Sequence, residues 1–243
     1  LRVPLVIHEQ NARPGLTNRV LARLARRVLC GFPGTFPEAR AQVTGNPVRG
    51  DILRIPPPEA RSDRGDALRL LVIGGSQGAR ALNEVVPWAL AELPPEHAMT
   101  VWHQSGDRTE AVARDSYAEA GVTADVVPFI RDMAAAYAWA DVIVCRAGAL
   151  TVSELAVAGV PAVLVPLPQA VDDHQTANAG YLVDAGAAEL LPQSELSPAR
   201  LAEVLSRLAA HPEQLAAMAR AARGQARPDA AETVAEICLE VSR

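Results

Sequence analysis

The chain has 243 residues, of which 49% are hydrophobic and 21% charged, and its formal net charge is −5. This length allows one large domain or two modest ones with a sizeable core, and the composition excludes a disordered or fibrous protein. All 23 basic residues are arginine, which excludes a Walker P-loop and any lysine nucleophile or Schiff base, and the acidic balance argues against a nucleic-acid binder.

The N-terminal segment begins with an apolar run, residues 3–8, that predicts a buried parallel strand ending in polar residues. A helix is expected next, with an apolar face formed by Leu16, Val20, Leu21, Leu24 and Val28. One strand and one helix cannot bury a core alone. Residues 1–45 are therefore expected to be the C-terminal remnant of an α/β domain that is incomplete in this chain.

After a proline-rich stretch, residues 55–67, which predicts a surface loop, apolar strands and helices alternate. The strands are expected at residues 70–73, 99–103, 125–129, 142–145 and 161–165. The helices are expected at residues 80–93, 107–120, 133–140, 150–158 and 173–185. This alternation predicts a doubly wound parallel sheet over residues 46–226. Residues 227–243 are expected to form a separate last helix that Pro228 starts.

A glycine-rich turn, Gly74-Gly75-Ser76-Gln77-Gly78, closes one predicted strand and opens a helix. Glycines allow close backbone approach, and a helix N-terminus attracts anions, so a phosphate is the expected guest, with Ser76 as a further donor. The spacing is not the dinucleotide fingerprint G-x-G-x-x-G. A tight structural turn without a ligand remains the alternative.

A second strand-to-helix junction covers residues 146–154. Thr151 or Ser153 could cap the helix there, with Glu154 completing a capping box. Alternatively, the helix start binds an anion or a sugar, and Glu154 accepts hydrogen bonds from a diol such as that of a ribose. Two such helix starts at neighbouring strand ends favour a diphosphate cleft.

Polar residues also open the predicted helix at 173–185. Asp172 or Asp173 suits the helix dipole, whereas the amides of Gln175 and Asn178 suit sugar hydroxyls. A metal site built on Asp172, Asp173 and His174 lacks distant ligands at a recognisable spacing, so no metal is expected. The guanidinium of Arg49 could hold a phosphate or lie solvated.

Two histidines stand at the ends of predicted strands. His8 could act as a general base or lie in the core, and the core position is favoured. His103 stands close to where the cleft is expected, although packing is again favoured.

Six motifs follow one another in a fixed order: residues 8–11 (HEQN), 45–49 (GNPVR), 74–79 (GGSQGA), 102–106 (WHQSG), 148–154 (GALTVSE) and 173–179 (DHQTANA). Together they resemble the bacterial UDP-N-acetylglucosamine transferases that act on undecaprenyl-pyrophosphoryl-muramoyl pentapeptide. The resemblance spans essentially the whole chain. It implies an α/β fold of the glycosyltransferase B type, with two Rossmann-like domains, the first incomplete here, and a donor-binding domain over residues 46–226.

The resemblance also implies which residues bind UDP-N-acetylglucosamine: Asn11, Arg49, Ser76, Ile130, Ala149, Leu150, Thr151, Val152, Ser153, Glu154 and Gln175. In this family pattern Ser76 contacts the diphosphate and Arg49 reaches the donor near its phosphates. Ile130 meets the uracil through its backbone, Glu154 holds the ribose hydroxyls, and Gln175 holds those of the sugar. Residues 149–151 line the diphosphate and sugar, and Asn11 approaches from the other domain.

The implied reaction transfers N-acetylglucosamine with inversion to the muramoyl 4-hydroxyl of lipid I, without a cofactor or a catalytic metal. The family's first glycine-rich loop, which carries the histidine proposed as general base, matches no residue here, so no catalytic residue is identified. The resemblance further implies a peripheral protein on an anionic membrane surface, at the cytoplasmic face of the plasma membrane.

Two other functions are the alternatives. A non-catalytic UDP-sugar-binding half would need a partner chain for activity. A UDP-sugar 2-epimerase would need acid–base carboxylates in the cleft, and the six motifs disfavour it.

Overall fold

The computed structural model describes residues 3–37, 39–61, 67–75, 78–168 and 173–242. Their strands form two parallel sheets, one of three strands and one of six. Helices cover the large sheet on both faces. The α/β class with parallel sheets, expected from the alternating pattern, is confirmed.

The small sheet contains β1 (Val6–Glu9), β2 (Arg27–Cys30) and β3 (Gln42–Val43) in this order. The helix expected to extend to Val28 is wrong in its second half, because α1 (Leu16–Leu21) ends seven residues earlier. Val28 lies inside β2, buried and paired with Ile7. Parallel pairing with β1 and β3 provides hydrogen-bond partners for the backbone N–H and C=O groups of β2. This pairing outweighs the helical spacing of the apolar residues.

The large sheet has the order β6-β5-β4-β7-β8-β9, and all of its pairs are parallel. Its strands are β4 (Leu68–Ile73), β5 (Met99–Gln104), β6 (Asp125–Val127), β7 (Val142–Cys145), β8 (Ala162–Leu164) and β9 (Ala188–Leu190). The first five strands occur where the sequence predicts them. The last one was missed, since a three-residue strand has too little apolar pattern of its own.

The helices after α1 are α2 (Gly50–Leu53), α3 (Arg80–Ala91), α4 (Glu110–Ala120), α5 (Met133–Trp139), α6 (Ala149–Ala158), α7 (His174–Val183), α8 (Pro198–Ala210), α9 (Pro212–Gly224) and α10 (Ala230–Ser242). The expected separate last helix is α10, which begins two residues after Pro228. It packs against the small sheet, where Ile237 and Val241 contact the fully buried Leu29.

Side chains of the central strands alternate between two buried clusters, one on each face of the large sheet. Leu71 and Ile73 of β4 belong to the cluster beneath α5, α6 and α7. Leu70 and Val72 belong to the cluster beneath α3, α4 and α8. Burial on both faces explains why residues 70–73 of β4 and the whole of β7 are continuously apolar, a pattern typical of a parallel sheet.

The stretch expected to be a surface loop, residues 55–67, is partly packed. Ile55 is 5% exposed, and Pro58 is buried at the start of a short 3-10 helix. Residues 62–66 lie outside the described ranges. Within the ranges described, no helix combines the length and the apolarity needed to cross a bilayer.

Candidate functional site

A cleft of about 540 Å³ opens at the carboxyl end of the large sheet, next to β4 and β7. The sheet order reverses at this point, because β5 and β6 lie on one side of β4 while β7, β8 and β9 lie on the other. Loops that leave neighbouring strands here diverge, and open α/β sheets bind ligands in the resulting crevice. The residues that line the cleft include Gly75, Gly78, Arg146, Gly148, Thr151 and Gln175.

The turn between β4 and α3 forms one wall of the cleft. Gly75 and Gly78 have φ angles of +78° and +74°, a left-handed conformation that favours glycine. A Cβ atom on Gly78 would also lie 2.5 Å from Ser105 O. Residues 79–81 line the cleft, so the N-terminus of α3 borders it as a phosphate site requires. Ser76 lies outside the described residues, and its contact stays a prediction.

The N-terminus of α6 forms a second wall. Gly148 precedes the helix in an extended conformation, and no side chain of the described residues caps it. The capping box considered for Thr151 and Glu154, or a cap by Ser153, is therefore wrong. Thr151 instead lies in the first turn and lines the cleft. Backbone N–H groups without a side-chain cap are available to an anionic ligand.

The other residues expected to bind from α6 differ in exposure. Ala149 is half-buried in the first turn and Leu150 is 47% exposed. Val152 is fully buried, and Ser153 Oγ donates to Ala149 O at 2.9 Å and accepts from Asn46 Nδ2 at 3.0 Å. These last two side chains pack in the interior, so a ligand would meet their backbone groups.

Glu154 lies one turn further along α6 and is held from two sides. Tyr137 Oη donates to Glu154 Oε2 at 2.9 Å, and Arg49 Nε donates to Oε1 at 3.3 Å. Burial raises the pKa of Glu154, although both hydrogen bonds oppose that rise. The expected ribose acceptor is thus a carboxylate with fixed oxygens, 15% exposed in its side chain.

The first segment reaches the large sheet through Asn11, just after β1. The fully buried Asn178 of α7 accepts from the N–H of Ala12 at 2.8 Å, and it donates to Asn11 Oδ1 at 3.2 Å and to Ala147 O at 3.1 Å. Glu9 Oε1 accepts from the backbone N–H of Asn11 at 3.0 Å. Burial raises the pKa of Glu9, but its hydrogen bonds lower that pKa overall. Asn11 is therefore fixed beside the loop that follows β7. The expectation that the Asn178 amide binds sugar hydroxyls is wrong, because this side chain is fully buried and bonded to Asn11, Ala12 and Ala147.

Gln175 and an arginine that the sequence reading missed complete the cleft wall. Gln175 Oε1 accepts from the N–H of Leu167 at 2.9 Å. Arg146 directly follows β7, and its guanidinium donates to Val165 O at 3.0 Å and to Gln193 Oε1 at 2.6 Å. Burial lowers the pKa of Arg146. A cation placed immediately after a fully buried strand was the signal that could have identified it.

Not all the expected residues meet in the cleft. Its lining includes Thr151 and Gln175 but not Asn11, Arg49 or Glu154, which lie beyond it. Ile130 is also absent from the lining. It is 3% exposed and packs in the core cluster beneath α5, in the loop between β6 and that helix.

Of the two histidines at strand ends, His103 lies in the packed interior, as favoured from the sequence, whereas His8 is half-buried and does not lie in the core. His8 Nε2 lies 3.0 Å from Gly45 O, and His103 is fully buried. Asp173 precedes α7 without a side-chain cap. Among the described residues no three His, Cys, Asp or Glu side chains are grouped as metal ligands would be, and Asp172 lies outside those residues.

Comparison with known proteins agrees with this geometry. The profile of the glycosyltransferase family 28 C-terminal domain matches residues 69–234. The chain belongs to glycosyltransferase family 28. A UDP-N-acetylglucosamine–N-acetylmuramyl-(pentapeptide) pyrophosphoryl-undecaprenol N-acetylglucosamine transferase from Alkalilimnicola ehrlichii is 61% identical, in an alignment of 246 positions that covers 100% of this chain and 68% of that protein.

Solved structures confirm the glycosyltransferase B type of fold. The crystal structure of MurG from Acinetobacter baumannii has a TM-score of 0.84 and 44% identity, covering 98% of this chain and 67% of that one. A UDP-GlcNAc 2-epimerase from Neisseria meningitidis has a TM-score of 0.67 at 15% identity, covering 98% of this chain and 70% of the other. At that identity the epimerase shows a shared fold alone. The resemblance to the family 28 transferases is confirmed by the profile match and by the relative that is 61% identical.

Proposed function

We propose that this family 28 chain is the donor-binding part of an inverting transferase. It would move N-acetylglucosamine from UDP-N-acetylglucosamine to the 4-hydroxyl of undecaprenyl-pyrophosphoryl-N-acetylmuramoyl pentapeptide (lipid I), giving lipid II for peptidoglycan. The observation that carries the proposal is the cleft at β4 and β7, which two helix N-termini border. The names of the relatives that match the whole chain support the choice of substrates.

The donor fits this cleft by its chemistry. A diphosphate carries charge that the N-termini of α3 and α6 stabilise, and Thr151 adds a hydroxyl donor at the second of them. The carboxylate of Glu154 would accept hydrogen bonds from the ribose hydroxyls, and the amide of Gln175 would bind those of the sugar. The backbone at Ile130 would meet the uracil, and Arg49 would contact the donor near its phosphates.

Bond cleavage at the anomeric carbon places negative charge on the departing UDP. Groups that are already aimed at that charge lower the barrier more than groups that must reorganise. The backbone N–H groups at the two helix N-termini have this property, because the sheet fixes both helices. The guanidinium of Arg49, whose Nε lies 3.3 Å from Glu154 Oε1, would add a positive charge near the departing UDP.

The two sheets support a division of the chain into two domains and a last helix. We assign residues 1–45 to the acceptor-side domain, residues 46–226 to the donor domain and residues 227–243 to a helix that returns to the first domain. The contacts of Ile237 and Val241 with Leu29 support the last assignment.

Calorimetric titration of UDP-N-acetylglucosamine into the chain tests donor binding. We expect saturable binding that weakens at least tenfold in Glu154→Ala, since a hydrogen bond to a charged group contributes about 1.5–3 kcal/mol. Glu203→Ala is the matched control, because this glutamate pairs with Arg200 on the surface of α8. Equal affinities for the wild type and Glu154→Ala would refute the ribose site, and no binding by the folded chain would refute donor binding.

We further propose that the first segment contacts anionic lipid at the cytoplasmic face of the plasma membrane, as a peripheral protein. Leu16 and Leu24 are 69% and 75% exposed, and Val20 of α1 is 50% exposed. Exposed arginines surround them: Arg13, Arg19, Arg23 and Arg26. Apolar side chains next to basic ones are typical of a surface that inserts shallowly among anionic headgroups.

Vesicle flotation tests this contact. The wild type should float with vesicles that contain phosphatidylglycerol, and the double variant Arg23→Glu/Arg26→Glu should float less. Added salt should reduce flotation of the wild type as well. A matched double variant at exposed arginines of α8 and α9, Arg200→Glu/Arg220→Glu, should behave like the wild type. Unchanged flotation of the first variant would argue for a merely solvated basic face.

A further inference from the structure

Tyr137 lies beneath the expected ribose site. It belongs to α5, is 1% exposed and packs in the core cluster on that face of the large sheet. Its hydroxyl lies 2.9 Å from Glu154 Oε2. A carboxylate carries no proton, so the phenol must be the donor in this hydrogen bond. Burial and the neighbouring Glu154 raise the pKa of Tyr137 well above its ordinary value, which keeps the phenol protonated.

Two charged groups and one neutral phenol interact with Glu154. Arg49 approaches Oε1, and Asp51 of α2 adds a weaker repulsive interaction. Tyr137 approaches Oε2 from α5, with the buried thiol of Cys145 behind it. Each carboxylate oxygen has about two acceptor positions. With one position of each oxygen used by the protein, one remains on each, which matches the two hydroxyls of a ribose.

The element that carries Tyr137 also follows the loop expected to meet the uracil. Asp132 caps α5 by accepting from the N–H of Ala135 at 2.8 Å, so the loop with Ile130 and the helix are joined rigidly. Two residues after Ala135, the Tyr137 hydroxyl reaches α6. The loop expected to meet the base and the expected ribose acceptor are therefore linked through α5 and the hydrogen bond from Tyr137 to Glu154.

We propose that Tyr137 is the positioning residue of the nucleoside site, holding the Glu154 carboxylate ionised and aimed at the ribose diol of the donor. This proposal rests on the proposed function, in which Glu154 binds the ribose. Tyr137 itself touches no part of the donor. Its effect passes through Glu154 alone, and this determines how it can be tested.

The electrostatic consequence has a definite sign. Burial raises the pKa of Glu154, and the hydrogen bond from Tyr137 opposes that rise. Removing the hydroxyl therefore raises this pKa further. Because the ribose needs an ionised acceptor, donor affinity falls as pH drops through the pKa of Glu154. Without the hydroxyl, that fall should occur at higher pH.

The experiment measures UDP-N-acetylglucosamine affinity between pH 5 and 8 by calorimetry. Both phosphates of this ligand are esterified, so the ligand does not titrate in the range. We expect Tyr137→Phe to bind roughly tenfold more weakly at neutral pH and to shift the midpoint of the affinity profile upward. Tyr137 replaced by 3-fluorotyrosine, a stronger donor with nearly the same packing, should shift the midpoint downward.

Two controls separate this role from general packing. Tyr117→Phe removes another buried tyrosine hydroxyl, one bonded to His103, and should keep the wild-type midpoint. Glu154→Gln cannot titrate and should lose the pH dependence. A wild-type midpoint in both Tyr137 variants would overturn the proposal while leaving donor binding intact. If the wild type itself does not bind the donor, the proposed function fails instead.

Discussion

At the scale of single residues, His103 shows how a polar side chain can be buried at the end of a central strand. Its ring lies 2.9 Å from Asn83 Oδ1 and 2.9 Å from Tyr117 Oη. Asn83 Nδ2 in turn donates to Ser105 O and Thr109 O. Since Oδ1 of Asn83 only accepts, Nε2 of His103 must carry the proton, and the tyrosine must donate to Nδ1. All three side chains, His103, Asn83 and Tyr117, have matched hydrogen-bond donors and acceptors only when the imidazole is neutral.

This neutrality predicts acid sensitivity of the fold. Burial lowers the pKa of His103 from 6.5 to about 3, so the unfolded chain takes up this proton first as pH falls. Stability present at neutral pH is thus lost below about pH 6.5, on the order of 2 kcal/mol by pH 5. Urea unfolding at pH 7.5 and 5 should show this loss. The His103→Gln variant should lose less free energy of unfolding than the wild type between these two pH values. An equal loss in the variant and the wild type would contradict a buried, neutral His103.

At the scale of elements, the turn between β4 and α3 combines two different reasons for glycine. Gly75 and Gly78 both have positive φ angles, but their surroundings differ. Among the described residues, a Cβ on Gly75 would meet no atom within 4 Å, whereas one on Gly78 would overlap Thr109 Oγ1. The first position requires only a backbone conformation, and the second also requires close approach to the loop after β5.

The two glycines therefore form a matched pair of substitutions. Gly75→Ala should lower the free energy of unfolding by about 1–2 kcal/mol, the cost of a left-handed alanine. Gly78→Ala should cost more and should weaken UDP-N-acetylglucosamine binding at least tenfold, because the overlap displaces the N-terminus of α3. Denaturant unfolding and calorimetry measure both effects. Equal losses of affinity in the two variants would show that the contact with Thr109 does not matter.

At the scale of the whole molecule, the two sheets are joined by a chain that crosses between them twice. Residues 44–47 lead from the small sheet to the large one, and residues 226–229 lead back into α10. The crossings touch, since a Cβ on Gly45 would lie 2.5 Å from Arg227 Cβ. The returning helix then buries Ile237 against Leu29 of β2. The small sheet is thus stabilised by the opposite end of the chain.

Truncation of one buried side chain on α10 should therefore loosen a distant segment. Ile237→Ala is expected to destabilise this contact by about 2–3 kcal/mol through lost burial and the resulting cavity. Hydrogen exchange should accelerate in β1 and β2 as well as in α10. Leu239→Ala on the same helix is the control, because Leu239 is 61% exposed and should change stability by no more than about 0.5 kcal/mol. Unchanged hydrogen exchange in β1 and β2 would refute the stabilisation of the small sheet by α10.

Much of the large sheet could be predicted from the sequence because its information is local. The segments that are buried on both faces, residues 70–73 of β4 and the whole of β7, are apolar throughout, as the interior of a parallel sheet requires. The glycine-rich turn and the start of α6 were recognised for a similar reason, since backbone conformation restricts which residues fit. The six ordered motifs then indicated the family and a set of expected site residues, whose contacts with the donor stay predictions.

Tertiary packing decided what local pattern left open. Helical spacing of Leu24 and Val28 indicated a helix, and strand pairing on both sides of β2 determined otherwise. The sequence was equally compatible with a capping box at Thr151 and with the observed helix start after Gly148. The hydrogen bond from Tyr137 to Glu154 joins residues of different helices, so no spacing along the chain could reveal it. Sequence determines local conformation and the apolar pattern, whereas the directions of polar side chains depend on neighbours that only the folded chain brings together.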